Sequence, residues 1–90
     1  MQKKFTKSEL RDGMIVEYRN GWRQIIVGSY LLGVEGFEYL SKYNDDMTHK
    51  QLKDFDIVKI YEIAEPMSLK ILFTDTSDRY IGEIWNRDYK

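Results

Sequence analysis

The chain has no cysteine, one proline and one histidine. Without thiols there is no disulfide framework and no thiolate metal site. A lone imidazole makes a poor transition-metal centre, which needs a second histidine or a cysteine. Nucleophilic catalysis has little to work with, because His49 is the single histidine and no serine sits in a G-x-S-x-G context. No Gly-rich phosphate loop precedes a helix. Long apolar runs are also missing; none approaches the ~20 residues that span a bilayer. Residues 1–10, MQKKFTKSEL, are basic but lack the apolar segment of a signal peptide. The expectation is a cytoplasmic, non-enzymatic protein with no cofactor, no metal and no membrane partner.

What is present is a foldable mixture. A hydrophobic share of 42% beside 32% charged residues separates the chain from disordered sequences. Ninety residues suit one small domain spanning 1–90. Aromatics reach 14%, and seven of them are Tyr, which favours strands with polar tips near a surface. Net charge is −1 but unevenly spread. Residues 1–30 hold six Lys/Arg against three Asp/Glu, and residues 31–62 hold four against seven. Such asymmetry steers partners, although a nucleic-acid domain usually shows a stronger basic excess.

The most legible element is residues 14–28, MIVEYRNGWRQIIVG. Two runs of β-formers flank Asn20-Gly21, a strong signal for a two-residue type I′ turn. That turn predicts Tyr18 opposite Arg23, Val16 opposite Ile25 and Met14 opposite Val27. Because side chains alternate faces, Met14, Val16, Ile25 and Val27 become the core face, with Tyr18 and Arg23 at its rim. Ile15, Glu17, Trp22, Gln24 and Ile26 form a half-covered second face. Tyr18 opposite Arg23 would give a cation–π contact of about 0.5–1 kcal/mol.

Along the rest of the chain, Thr6 and Glu9 have capping-box spacing for a short helical turn. Phe5 and Leu10 would plug one end of a small barrel. Gly28 reads as a bulge or sharp bend within a second strand that continues through Leu32. Gly33 to Gly36 is a loop, and 37–40 a short returning strand. Asp45 or Asp46 would cap a helical turn through Lys50. Residues 56–62 form a strand with Val58 and Ile60 on one face, and Ile57 and Tyr61 on the other. Residues 69–74 fit a strand or a helical turn equally. Residues 75–78 are turn-like, and 80–86 form the closing strand, with Trp85 in the core. Short strands with frequent turns indicate a mainly β protein, a small antiparallel barrel or sandwich with one or two helical turns.

Two groups of residues stand out as candidate binding features. Tyr18, Arg19, Trp22 and Arg23 gather at the hairpin tip, with Lys3, Lys4 and Lys7 nearby in sequence. Aromatic and Arg side chains of this kind are enriched at protein interfaces, and small barrels also use them to bind nucleic acid. Tyr43, Asp45 and Asp46 form the second group. Asp46 and His49 have the spacing of metal ligands on one helical face. The segment lacks the alternating acidic ligands and Gly of a calcium loop.

Residues 8–21 (SELRDGMIVEYRNG), 43–49 (YNDDMTH) with 56–61 (DIVKIY), and 84–87 (IWNR) together resemble small uncharacterised phage and prophage proteins of Firmicutes. The resemblance implies a compact Src-homology-3-like barrel, no catalytic residues and a bacterial host cell. It leaves residues 43–48 as either a binding feature or a structured loop. Asp side chains readily satisfy backbone donors in turns, which favours the loop. The expected partner is another protein, with a host factor as target. Nucleic acid bound through the basic N-terminal half is the alternative. An exposed edge strand would allow either a monomer or a homodimer.

Overall fold

Three residues, not two, connect the first pair of strands. In the computed structural model, which describes residues 5–63 and 81–87, β1 (Ile15–Tyr18) pairs antiparallel with β2 (Arg23–Val27). Ile15 lies opposite Ile25, Val16 opposite Gln24, and Glu17 opposite Arg23. The Tyr18 N–H donates to the Trp22 carbonyl at 2.8 Å, and the Gly21 N–H to the Tyr18 carbonyl at 2.8 Å. Gly21 alone of the pair has positive φ, at 96°. A turn followed by one left-handed residue is the three-residue hairpin with a glycine bulge. Asn20 contributes its side chain instead, accepting the Trp22 N–H at 2.9 Å.

That one-residue difference reverses the faces of β2 relative to the two-residue reading. Val16, Tyr18 and Ile26 face the core, with Gln24 buried beside them. Ile15, Glu17, Arg23 and Ile25 share the opposite face, where Ile15 and Ile25 are also buried. Residues 25–27 are apolar at every position, so either face of β2 could be turned inward. The pattern therefore did not hold the register.

Gly28 is not a bulge. It starts a two-residue turn between β2 and β3 (Tyr30–Gly33), with Val27 opposite Tyr30 and a φ of 61°. Positive φ at the first central position only is the type II′ pattern, which Gly fills without strain. β4 (Gly36–Tyr39) returns against β3. β5 (Ile57–Ile63) pairs with β1, and β6 (Ile81–Asn86) with β5. The sheet order is β4-β3-β2-β1-β5-β6, all antiparallel. Among the described residues β4 and β6 are its edges, so in place of the expected small barrel or sandwich they form one open sheet.

Register shifts bend this sheet at two places, between Glu17 and Tyr18 and between Ile60 and Tyr61. The first brings Ile57 opposite Tyr18 and into the core with Ile60, where simple alternation had paired Ile60 with Val58. Among the described residues the helical content consists of 3-10 turns at Lys7–Glu9, Leu40–Lys42 and Lys53–Phe55. Glu9 accepts the Thr6 N–H at 3.1 Å, as the capping-box spacing anticipates. The helical turn expected through Lys50, capped by Asp45 or Asp46, is absent; Tyr43 and His49 bridge there as strands do. Phe5 is buried against Trp85, ring centres 6.2 Å apart. Among the described residues no helix is long and apolar enough to cross a membrane. The expectations for 69–74 and 75–78, and for Lys3 and Lys4, lie outside the described residues.

Candidate functional site

The hairpin tip is built into the fold by its own polar groups. Tyr18 is buried and stacks on Phe55, with centroids 5.2 Å apart and planes 13° apart. Its hydroxyl donates to Gln24 Oε1 at 2.7 Å. Burial pushes its pKa up to about 12. Arg19 donates to Asp56 Oδ2 at 3.0 Å, and the other Asp56 oxygen accepts the His49 N–H at 2.8 Å. Backbone bonds from Arg19 to Asp56 and from Asn20 to Asp54 tie the tip to the segment before β5. Trp22 remains 40% exposed, its inner edge resting on Phe55 at 5.8 Å.

Arg23 points to the other face of the sheet. It donates to Glu17 Oε1 at 2.9 Å and to the Tyr61 hydroxyl at 3.0 Å. Its guanidinium lies 4.6 Å from the centre of the Tyr61 ring, so the cation–π partner is Tyr61 rather than Tyr18. Tyr61 in turn donates to Glu17 at 2.9 Å. The tip residues are thus divided between two faces. The one-residue change in register separates them.

Residues 43–49 form a tight loop. Tyr43 is buried, and its hydroxyl donates to the Phe55 carbonyl at 2.8 Å. Asp45 is exposed, and its carbonyl accepts the Lys7 N–H at 2.8 Å. Asp46 Oδ1 accepts the Thr48 N–H at 3.0 Å and the Thr48 hydroxyl at 2.6 Å. Those bonds hold its carboxyl below the usual aspartate range. Arg87 clamps the loop by donating to the Asp46 and Ile57 carbonyls at 2.8 and 2.9 Å. The Asp46 carboxylate therefore organises the turn, as Asp does readily, while Asp45 contributes its backbone carbonyl.

His49 faces inward and away from Asp46. Its Nδ1 accepts the Gln51 and Leu52 amides at 3.1 and 3.0 Å. The neutral ring therefore carries its proton on Nε2, which donates to Glu38 Oε2 at 3.0 Å. Burial of Glu38 works to raise its pKa, but the His49 and Tyr39 hydrogen bonds outweigh it and the net shift is downward. Among the described residues no group of three or more His, Asp or Glu gathers as metal ligands do.

Among the described residues an exposed aromatic surface lies on the β3–β4 hairpin, which sequence reasoning passed over. Tyr30 stands opposite Tyr39 and Leu32 opposite Phe37, so all four share one face. Tyr30, Phe37 and Tyr39 are 44%, 59% and 44% exposed. Their rings nonetheless touch one another, with centroids 6.1, 5.3 and 5.5 Å apart. Leu31 points the other way and is fully buried, which anchors the hairpin. The available signal was the Phe37–Tyr39 alternation, but placing Tyr30 beside them required the turn at Gly28.

No protein-family model, curated protein or solved structure matches this chain.

Proposed function

We propose that this protein is a non-enzymatic interaction module, an accessory protein of phage or prophage type that engages a host protein in the bacterial cytoplasm. Its contact surface in this reading is the aromatic face of the β3–β4 hairpin. The observation that carries it is the cluster of Tyr30, Phe37 and Tyr39, exposed yet packed ring against ring. Such rings are already ordered, and each has few torsions left to lose, so binding costs little side-chain entropy. Aromatic side chains are the residues interfaces favour.

The polar groups support the same reading. His49, Glu38, Asp56, Arg19, Glu17, Arg23 and Tyr61 bond to one another inside the protein. They act as structural ties, and the aromatic hairpin is left to face a partner. Nucleic-acid binding through the basic N-terminal half draws less support. Lys7 donates to the Tyr43 carbonyl, and Arg19 and Arg23 are ion-paired. The reading also includes a Src-homology-3-like arrangement; the two register shifts in β1–β5 and β5–β6 favour it, because bulges bend strands.

A photo-crosslinking residue placed at Phe37 in the full chain, expressed in a bacterial host, tests this. A discrete protein adduct is expected at Phe37 and not at Lys50, an exposed position on the 43–55 segment. Adducts that are the same from both positions, or none from Phe37, would overturn it.

A further inference from the structure

The hairpin that carries the rings is acidic. Residues 30–39 contain Glu35 and Glu38 and no Lys or Arg. Glu35 is exposed on the turn between β3 and β4. Glu38 lies on β4 but on the opposite face, beside buried Leu31, where its carboxylate is bonded to His49, so Glu35 is the acidic group of this segment that faces solvent. β4 is also an edge of the sheet.

Charge separates the polymers that could cover this surface. A nucleic acid would bring phosphates against carboxylates. A second copy meeting this face through the same hairpin would bring Glu35 and no cation of its own, because residues 30–39 carry no Lys or Arg. A polypeptide bearing Arg or Lys gains twice. Its cations lie over aromatic faces, and they meet the exposed Glu35 carboxylate.

Resting on the interaction-module reading, we infer that the β3–β4 hairpin docks an extended polypeptide segment bearing Arg or Lys, seated across Tyr30, Phe37 and Tyr39 and against Glu35. The Tyr39 N–H already donates to Glu38 Oε1 at 2.8 Å. Ring faces, more than edge amides, therefore hold the segment. Phe37 and Tyr39 lie on one face at two-residue spacing, so an extended partner matches them with cations at alternate positions.

The test uses the full chain, labelled with nitrogen-15, and a synthetic octapeptide alternating Arg and Ser. The same peptide with Glu in place of Arg is one comparison, and a short oligothymidylate is another. Amide shifts are expected to gather on residues 30–39 with the basic peptide and to fade as salt rises. Phe37→Ala and Glu35→Gln should each weaken binding about threefold or more. Both sites are exposed, so melting temperatures should stay close to that of the wild type. The inference is overturned if the basic peptide leaves residues 30–39 unmoved, or if the acidic peptide moves them equally. It is also overturned if oligothymidylate binds there instead, or if shifts follow protein concentration alone. Equal binding of the acidic peptide removes the charge preference and keeps the aromatic surface. Loss of the Phe37 adduct removes the surface itself.

Discussion

Gly21 and Met47 occupy the same position in two copies of one turn. In the first, Tyr18 N–H bonds to the Trp22 carbonyl and Gly21 N–H to the Tyr18 carbonyl. In the second, Asn44 N–H bonds to the Thr48 carbonyl and Met47 N–H to the Asn44 carbonyl, both at 2.9 Å. Asn20 and Asp46 also match, each accepting the amide two residues on. Gly21 has a φ of 96° and Met47 a φ of 70°. Glycine fills one copy at the surface. Methionine fills the other with its side chain fully buried in the core.

At Gly21 the cost of substitution should come from the backbone alone, because a Cβ there meets nothing within 4 Å. Gly21→Val should lower stability by about 1–2 kcal/mol, the cost of holding a substituted residue left-handed. Gly21→Asn should cost less, since Asn visits that region readily. Urea unfolding of the three proteins reads the order directly. Equal midpoints for Val and Gly would remove the glycine bulge from the account.

At Met47 two terms oppose each other. Met47→Ala should cost about 2–5 kcal/mol through lost burial and the cavity left behind. Met47→Gly removes one more methyl but relieves the left-handed strain. The two variants should therefore have nearly equal stability, whereas at an ordinary core site the glycine variant is the worse. A glycine variant less stable than the alanine one by several kcal/mol would show that the backbone at 47 is unstrained.

The buried pair of Tyr18 and Gln24 calls for a double-mutant cycle. Tyr18→Phe leaves Gln24 Oε1 without its 2.7 Å donor, and Gln24→Met removes the acceptor of the buried Tyr18 hydroxyl. Each single change should cost about 1–3 kcal/mol, the penalty of orphaning a buried polar group. The double variant should be less damaging than the sum, because both orphans disappear together. Strict additivity in thermal unfolding would contradict the coupling.

Much of this architecture was readable from the chain, and its failures have physical causes. The hairpin at Asn20-Gly21, the strands near 57–62 and 81–86, the capping spacing at Thr6 and the burial of Phe5 and Trp85 followed from local chemistry. Register did not. Apolar side chains fall on both faces of 14–16 and 25–27, so alternation could not choose between two-residue and three-residue loops. A structured loop at 43–48 was legible, but its left-handed residue, Met47, was not, because that position lacks Gly or Asn. Arg23 and Arg19 read as available cations because their partners, Tyr61 and Asp56, lie far along the chain. The Tyr30, Phe37 and Tyr39 cluster depended on the turn at Gly28 that earlier alternation had passed over.

Alkaline titration tests the buried tyrosines together. Burial raises Tyr18 to about 12, and it raises Tyr43 strongly in the same direction. Tyr61 also rises to about 12, first through burial and then through its hydrogen bond and charge contact with Glu17. An unfolded tyrosine loses its proton near 10.0. The folded state thus keeps protons that the unfolded chain has released. The stability linked to these groups is complete below pH 10 and declines as pH rises toward 12. Tyrosinate absorbance should show a late-titrating group of side chains that merges with the rest in denaturant. Tyr61→Phe should flatten the fall in unfolding midpoint over that interval. A midpoint that is constant through it in the wild type, with all tyrosinates forming in one step, would refute the assignment.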